Sequence, residues 1–212
     1  MENVLDRIAK LRIVPIVSME DAQDANPLAD ALLAGGLAIA EVTFRTAAAE
    51  QAIRTLANRG DMLVGAGTVL NLDTLRRAID AGAQFIVTPG FNPKVVAWCV
   101  SNKIPITPGC ATPTDIEMAM DHGLKVVKFF PAEAFGGLKT LKAIAAPYGM
   151  MRYIPTGGID PENLEQYLKF DKILACGGSW MATKELLAAK QFDRVTELTR
   201  QAVEIANRAR PS

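Results

Sequence analysis

Histidine and cysteine are both scarce in this chain: its 212 residues include one His and three Cys. His122 has no second histidine to share a metal, and no HxH, CxxC or carboxylate–histidine cluster occurs, so a metal-dependent reaction lacks ligands. Cys99, Cys110 and Cys176 lie far apart in apolar or glycine-rich surroundings. They read as small buried residues of a reducing compartment, not as a disulfide framework. An excess of charge of either sign is also missing, because Lys+Arg and Asp+Glu each number 23. With no basic block or arginine run, neither nucleic acid nor a membrane surface is an expected partner. No apolar run is long enough to span a membrane. No GxGxxG opens a helix ahead of an acidic residue, so a nicotinamide cofactor is not expected. The first residues carry early acidic side chains and no apolar h-region. They predict an amphipathic helix over about residues 2–11 of a cytoplasmic protein, not a signal peptide.

What is present is alternation. Half of the residues are hydrophobic, ample for a core. Strand-like runs fall at 12–17, 38–44, 62–66, 84–88, 104–107, 125–130, 152–155 and 173–176. They recur every ~20–25 residues, the spacing of a strand–helix unit. Helical patterns lie between them at 21–33, 47–57, 72–81, 93–101, 113–121, 137–145, 161–168 and 192–208. Thr112-Pro113-Thr114-Asp115 and Asp160-Pro161-Glu162 each place a cap before a proline at the first helical position. Gly35-Gly36, Gly82 and Gly123 stand where helices should end. Eight such units in one domain, residues 1–212, predict an α/β fold of the (β/α)8 barrel type, with a doubly wound open sheet as the alternative. The barrel is preferred because the count reaches eight and Gly-Gly pairs follow strands seven and eight, the recurrent phosphate position of barrels.

Barrel active sites gather at the C-terminal ends of the strands. Along strand six, Val126, Lys128 and Phe130 share one face, while Lys125, Val127 and Phe129 share the other. A lysine set between apolar neighbours is poorly solvated as an ammonium, which favours the nucleophilic amine. The competing reading is a structural lysine that snorkels or pairs with a carboxylate. On strand two, Glu41, Thr43 and Arg45 share parity. Glu41 is a candidate acid/base and Arg45 a candidate clamp for a substrate carboxylate. An internal ion pair of Glu41 with Arg45 or Lys128 is the alternative. Strand three ends in Val64-Gly65-Ala66-Gly67-Thr68, whose glycines predict close approach of a ligand and whose Thr68 offers a hydroxyl. Thr88-Pro89-Gly90-Phe91 and Thr107-Pro108-Gly109-Cys110 predict turns at a pocket rim. Pro155-Thr156-Gly157-Gly158 and Cys176-Gly177-Gly178-Ser179, each ahead of a helical segment, predict backbone donors for an anion.

Five motifs then resemble one family. Glu41-Val42-Thr43-Phe44-Arg45-Thr46, Gly65-Ala66-Gly67-Thr68-Val69-Leu70, Lys128-Phe129-Phe130-Pro131-Ala132-Glu133, Pro155-Thr156-Gly157-Gly158-Ile159 and Gly177-Gly178-Ser179-Trp180 are similar, in order, to the bacterial 2-keto-3-deoxy-6-phosphogluconate (KDPG) aldolases. Those enzymes often also cleave 4-hydroxy-2-oxoglutarate (KHG). The resemblance implies a cofactor-free, homotrimeric class I aldolase acting on a small keto acid, the alternatives being a related aldolase for 2-keto-3-deoxy-6-phosphogalactonate and a non-catalytic phosphometabolite-binding barrel. It implies Lys128 as the Schiff-base residue and Glu41 as the acid/base. Arg45 and Thr68 would bind the substrate carboxylate, and Gly157, Gly158, Gly178 and Ser179 the phosphate, with Pro89, Phe130 and Thr156 completing the pocket. Two departures stand out: no arginine ends strand one, and Phe44 replaces the family's usual leucine.

Overall fold

The computed structural model describes residues 3–209. The helix expected over residues 2–11 is seen as α1, Val4–Leu11, with Asn3 as its N-cap; Glu2 lies outside the described residues. Nine short strands follow, all paired in parallel: β1 Ile13–Val17, β2 Ile39–Thr43, β3 Leu63–Gly67, β4 Phe85–Val87, β5 Ile106–Thr107, β6 Gly109–Cys110, β7 Val126–Phe129, β8 Arg152–Pro155 and β9 Cys176–Gly178. Between and after them come α2 Ala25–Ala34, α3 Ala49–Arg59, α4 Leu72–Asp80, α5 Pro93–Ser101, α6 Pro113–Asp121, α7 Gly137–Ala145, α8 Leu164–Leu168, α9 Lys184–Ala188 and α10 Phe192–Arg208.

The strands form two sheets, one curled and six-stranded in the order β5-β4-β3-β2-β1-β9, the other three-stranded in the order β6-β7-β8. Where eight strands were expected, the fifth is split. Pro108 has no N–H to give to the ladder, so pairing stops there and resumes at Gly109. The eighth strand is displaced towards the C-terminus: Ile173 makes only a single bridge to Tyr153, and regular pairing starts at Cys176. Gly177 and Gly178 are therefore strand residues and not a loop. Thr156 and Gly177 form a second parallel bridge between the two sheets.

Every residue of β1, β2 and β3 is buried, as expected when helices cover one face of a parallel sheet and side chains fill the other. One apolar cluster joins the outer strand faces to α2, α3, α4 and α5. Ile8 of α1, 1% exposed, lines an inner void of about 10 Å³ together with residues of β1, β2, β4, β5, β7 and β8.

Capping follows the sequence closely in places. Thr112 and Asp115 form a capping box on α6, and Asn92 caps α5 ahead of Pro93. Gly36, Gly82 and Gly123 adopt φ of 96°, 97° and 74° just past α2, α4 and α6, as C-terminal glycines do. The helix expected from Pro161 begins only at Leu164. Asp160 instead accepts hydrogen bonds from the N–H groups of Glu162 and Asn163, 2.8 and 3.1 Å, which fixes a turn before the helix.

Candidate active site

Lys128 lies on β7 and Glu41 on β2, strands of different sheets whose side chains meet inside. Lys128 is 6% exposed and Glu41 4%. Their Nζ and Oε1 atoms stand 3.6 Å apart, and Nζ lies 5.1 Å from the centroid of the Phe130 ring. The period of two along strand six thus places Lys128, and not the exposed Lys125, inside. Glu41 Oε1 is buried without a hydrogen-bond partner, so it remains an acceptor with capacity to spare.

The glycines of β3 serve this pair in a way the sequence did not suggest. A Cβ at Gly65 would sit 2.2 Å from the Phe85 ring, and one at Gly67 2.2 Å from Glu41 Oε1. These glycines make room for neighbouring side chains instead of admitting a ligand.

Above the pair opens a cavity of about 670 Å³ at the C-terminal ends of the strands. Arg45 and Thr68 stand together on its wall, with Arg45 Nε donating to Thr68 Oγ1 at 3.4 Å. Thr68 has φ of 58°, a conformation that β-branched residues rarely adopt and that typically costs ~1–3 kcal/mol. Thr43, of the same parity, is turned to its neighbour strand and donates to the Val17 carbonyl at 3.0 Å. Pro89, Phe130 and Thr156 line the same cavity. So do Gly157 and Gly158, with φ of 95° and 79°, and Gly178 and Ser179.

The predicted anion loops need one correction. Both helices that follow, α8 and α9, have five residues each, and neither starts directly at its glycine pair. Helix dipoles therefore add little. The donors available are backbone N–H groups, those of the Gly157-Gly158 loop and of the turn that follows β9 at Ser179, as in a backbone nest.

Other residues line the cavity that sequence reasoning did not single out. Ser18 stands at the end of β1, and Thr183, Lys184 and Glu185 come from the segment after β9. The barrel expectation directs attention to every strand end, and that is the one signal that pointed at Ser18. Nothing in local spacing marks Lys184. Phe44, which replaces the family's usual leucine, faces away from the cavity, with the Arg77 guanidinium 5.6 Å above its ring. Among the described residues no group of three or more His, Cys, Asp or Glu side chains is placed to hold a metal. Among the described residues no helix is long and apolar enough to cross a membrane.

The sequence model for KDPG and KHG aldolases matches residues 4–198. The chain belongs to the KDPG and KHG aldolase family. It is 47% identical over 206 residues to a 2-dehydro-3-deoxy-phosphogluconate aldolase of Treponema pallidum, spanning 97% of this chain and 98% of that one. It is 45% identical to the KHG/KDPG aldolase of Escherichia coli strain K12, spanning 91% of each. Among solved structures, the KDPG aldolase of Legionella pneumophila superposes with a TM-score of 0.91 at 34% identity, covering 95% of this chain and 98% of that one. In that structure pyruvate was captured at low pH as a covalent carbinolamine intermediate. The first two relatives span nearly the whole length of this member of the family, so the match is not confined to a shared core.

Proposed function

We propose that this chain is a class I lyase that cleaves KDPG to pyruvate and glyceraldehyde 3-phosphate, and KHG to pyruvate and glyoxylate. The observation that carries this reading is the buried Lys128 Nζ, 3.6 Å from Glu41 Oε1 at the foot of the large cavity. The uncharged Lys128 amine adds to the C2 ketone, the hydroxyl so formed takes a proton from Glu41 and leaves as water, and a protonated imine forms opposite the Glu41 carboxylate. Glu41, directly or through one water, takes the proton of the C4 hydroxyl. The C3–C4 bond breaks, its electrons pass into the imine to give an enamine, and the aldehyde departs. Glu41 then returns its proton to C3, and hydrolysis of the imine releases pyruvate and restores the Lys128 amine.

Arg45 and Thr68 hold the C1 carboxylate in this reading, and the permanent charge of the guanidinium suits that task. Gly157, Gly158, Gly178 and Ser179 receive the phosphate, while Pro89, Phe130 and Thr156 shape the space between. The name of the Escherichia coli relative supports the second substrate.

The same reading takes residues 1–212 as one (β/α)8 barrel. Supporting it are the two bridges between β8 and the β9 segment, the contiguity of β5 and β6 around Pro108, and the void shared by six strands. A cytoplasmic homotrimer follows from the resemblance and is checked by light scattering.

The reading is tested by borohydride reduction in the presence of pyruvate, with peptide mapping. One label on Lys128 is the expected result. A label on Lys125 or Lys139, or none, overturns the mechanism.

A further inference from the structure

The cavity carries more positive charge than the proposed chemistry uses. Among the described residues, Arg45, Lys128 and Lys184 are the cations that line it. Arg45 stands with Thr68 at the carboxylate side, and Lys128 is taken up by the imine. Lys184 follows β9 by six residues and lines the same cavity as Gly178 and Ser179. Its Nζ lies 2.8 Å from Glu20 Oε1, on the loop after β1. Both side chains are largely exposed, 54% and 67%, and ion pairs of this kind are weak and easily exchanged. The neighbouring Glu185 is occupied: hydrogen bonds from its own backbone and from Thr183 hold its carboxyl below the usual range.

We propose that Lys184 is a mobile charge for the substrate phosphate, held on Glu20 while the cavity is free of phosphate and transferred to the phosphate when the substrate enters. A phosphate monoester carries nearly two negative charges at neutral pH. The backbone around the two glycine pairs offers only neutral N–H donors, so a lone dianion there lacks a counter-charge. Lys184, on a flexible four-carbon stem, supplies it. A carboxylate with a single charge competes poorly with a dianion that accepts hydrogen bonds from the loops at the same time. Lys184 thereby favours phosphorylated over unphosphorylated keto acids. The proposal rests on the aldolase reading above and adds a specificity residue to it.

The experiment compares kcat/KM for KDPG with kcat/KM for KHG in wild type, Lys184→Met, Glu20→Gln and the double variant, with folding checked by thermal melt. Lys103→Met, at the far end of α5, controls for loss of one positive charge from the protein as a whole. The KDPG-to-KHG ratio is expected to fall ~5–10-fold in Lys184→Met, the effect of one charge-assisted contact in a partly solvated place. It should stay at the wild-type value in Lys103→Met. Glu20→Gln frees Lys184 and should raise the ratio, and the double variant should lose that gain. An unchanged ratio in folded Lys184→Met overturns the proposal. So does a fall in Glu20→Gln, which would make the pair a strut of the rim. Failure of the wild type to cleave KDPG, with pyruvate still trapped by borohydride, would instead count against the substrate assigned above.

Discussion

Lys128 and Glu41 each depend on a neighbour's shape. Lys128 is enclosed by Phe130, and Glu41 occupies space that exists because residue 67 has no side chain. Replacing Lys128 with Arg keeps a cation opposite Glu41 but removes a usable nucleophile. Lys128→Arg should melt near the wild-type temperature, yet neither trap pyruvate nor cleave either substrate. A retained trap would assign the imine to another lysine. Glu41→Gln should still form imine, while cleavage falls ~10²–10⁴-fold, the usual worth of general acid–base assistance. Deuterium exchange from solvent into the pyruvate methyl group should fall with it, and normal exchange would move the proton to another group. At this scale strand parity made Lys128 and Glu41 legible. The use of Gly67 was not, because a missing side chain does not say which neighbour needs the room.

The elements around the two glycine pairs were legible in kind but not in detail. Gly-Gly pairs after strands seven and eight were expected at strand ends, and they line the cavity there. Their relation to the helices differs from the expected one, since Asp160 caps a turn ahead of α8 and the second pair is paired within β9. The expected turn at Pro108 proved to be an interruption between two short strands, because one proline removes one donor without reversing the chain. These details decide which substitution tests the cradle. Gly158 has positive φ, and a Cβ there would stand 2.6 Å from Glu133 Cβ, so Gly158→Asp would distort the loop whatever its charge. Ser179 is exposed, lines the cavity and has no such constraint. Ser179→Asp should lower the KDPG-to-KHG ratio of kcat/KM at least ~10-fold through repulsion of the phosphate. Remote binding energy can be realised in the transition state, so the loss can fall on kcat as well as on KM. An unchanged ratio would leave these loops as turns only.

Across the whole molecule, burial governs both stability and access. Burial pushes the Cys99 thiol up to about 12, and burial with Asp115 nearby does the same for Cys110. Burial raises Cys176 further. Between the ordinary thiol value near 9.0 and about 12, the folded state keeps protons that the unfolded chain has lost. Stability therefore falls as pH rises through that window and is unaffected by these groups below it. Urea midpoints should decline above about pH 9, and a Cys99→Ser, Cys110→Ser variant should lose part of that decline. Equal slopes in the two proteins would assign the effect elsewhere. Strand order along the chain was readable because each buried run had to be followed by a covering helix. The division into two sheets was not, since it turns on which residues bridge across space. The void beneath Glu41 and Lys128 has a further consequence for the order of events. At about 10 Å³ and lined by the buried Ile8, it holds about one water. That is too small for a reactant or product to pass, which leaves them the large cavity as their doorway. The aldehyde, lying between the imine and that doorway, must leave before bulk water can reach the imine carbon. Pyruvate is then the last product to go, so it should inhibit competitively against KDPG, while glyceraldehyde 3-phosphate inhibits noncompetitively. The reverse pattern would require a second way into the site.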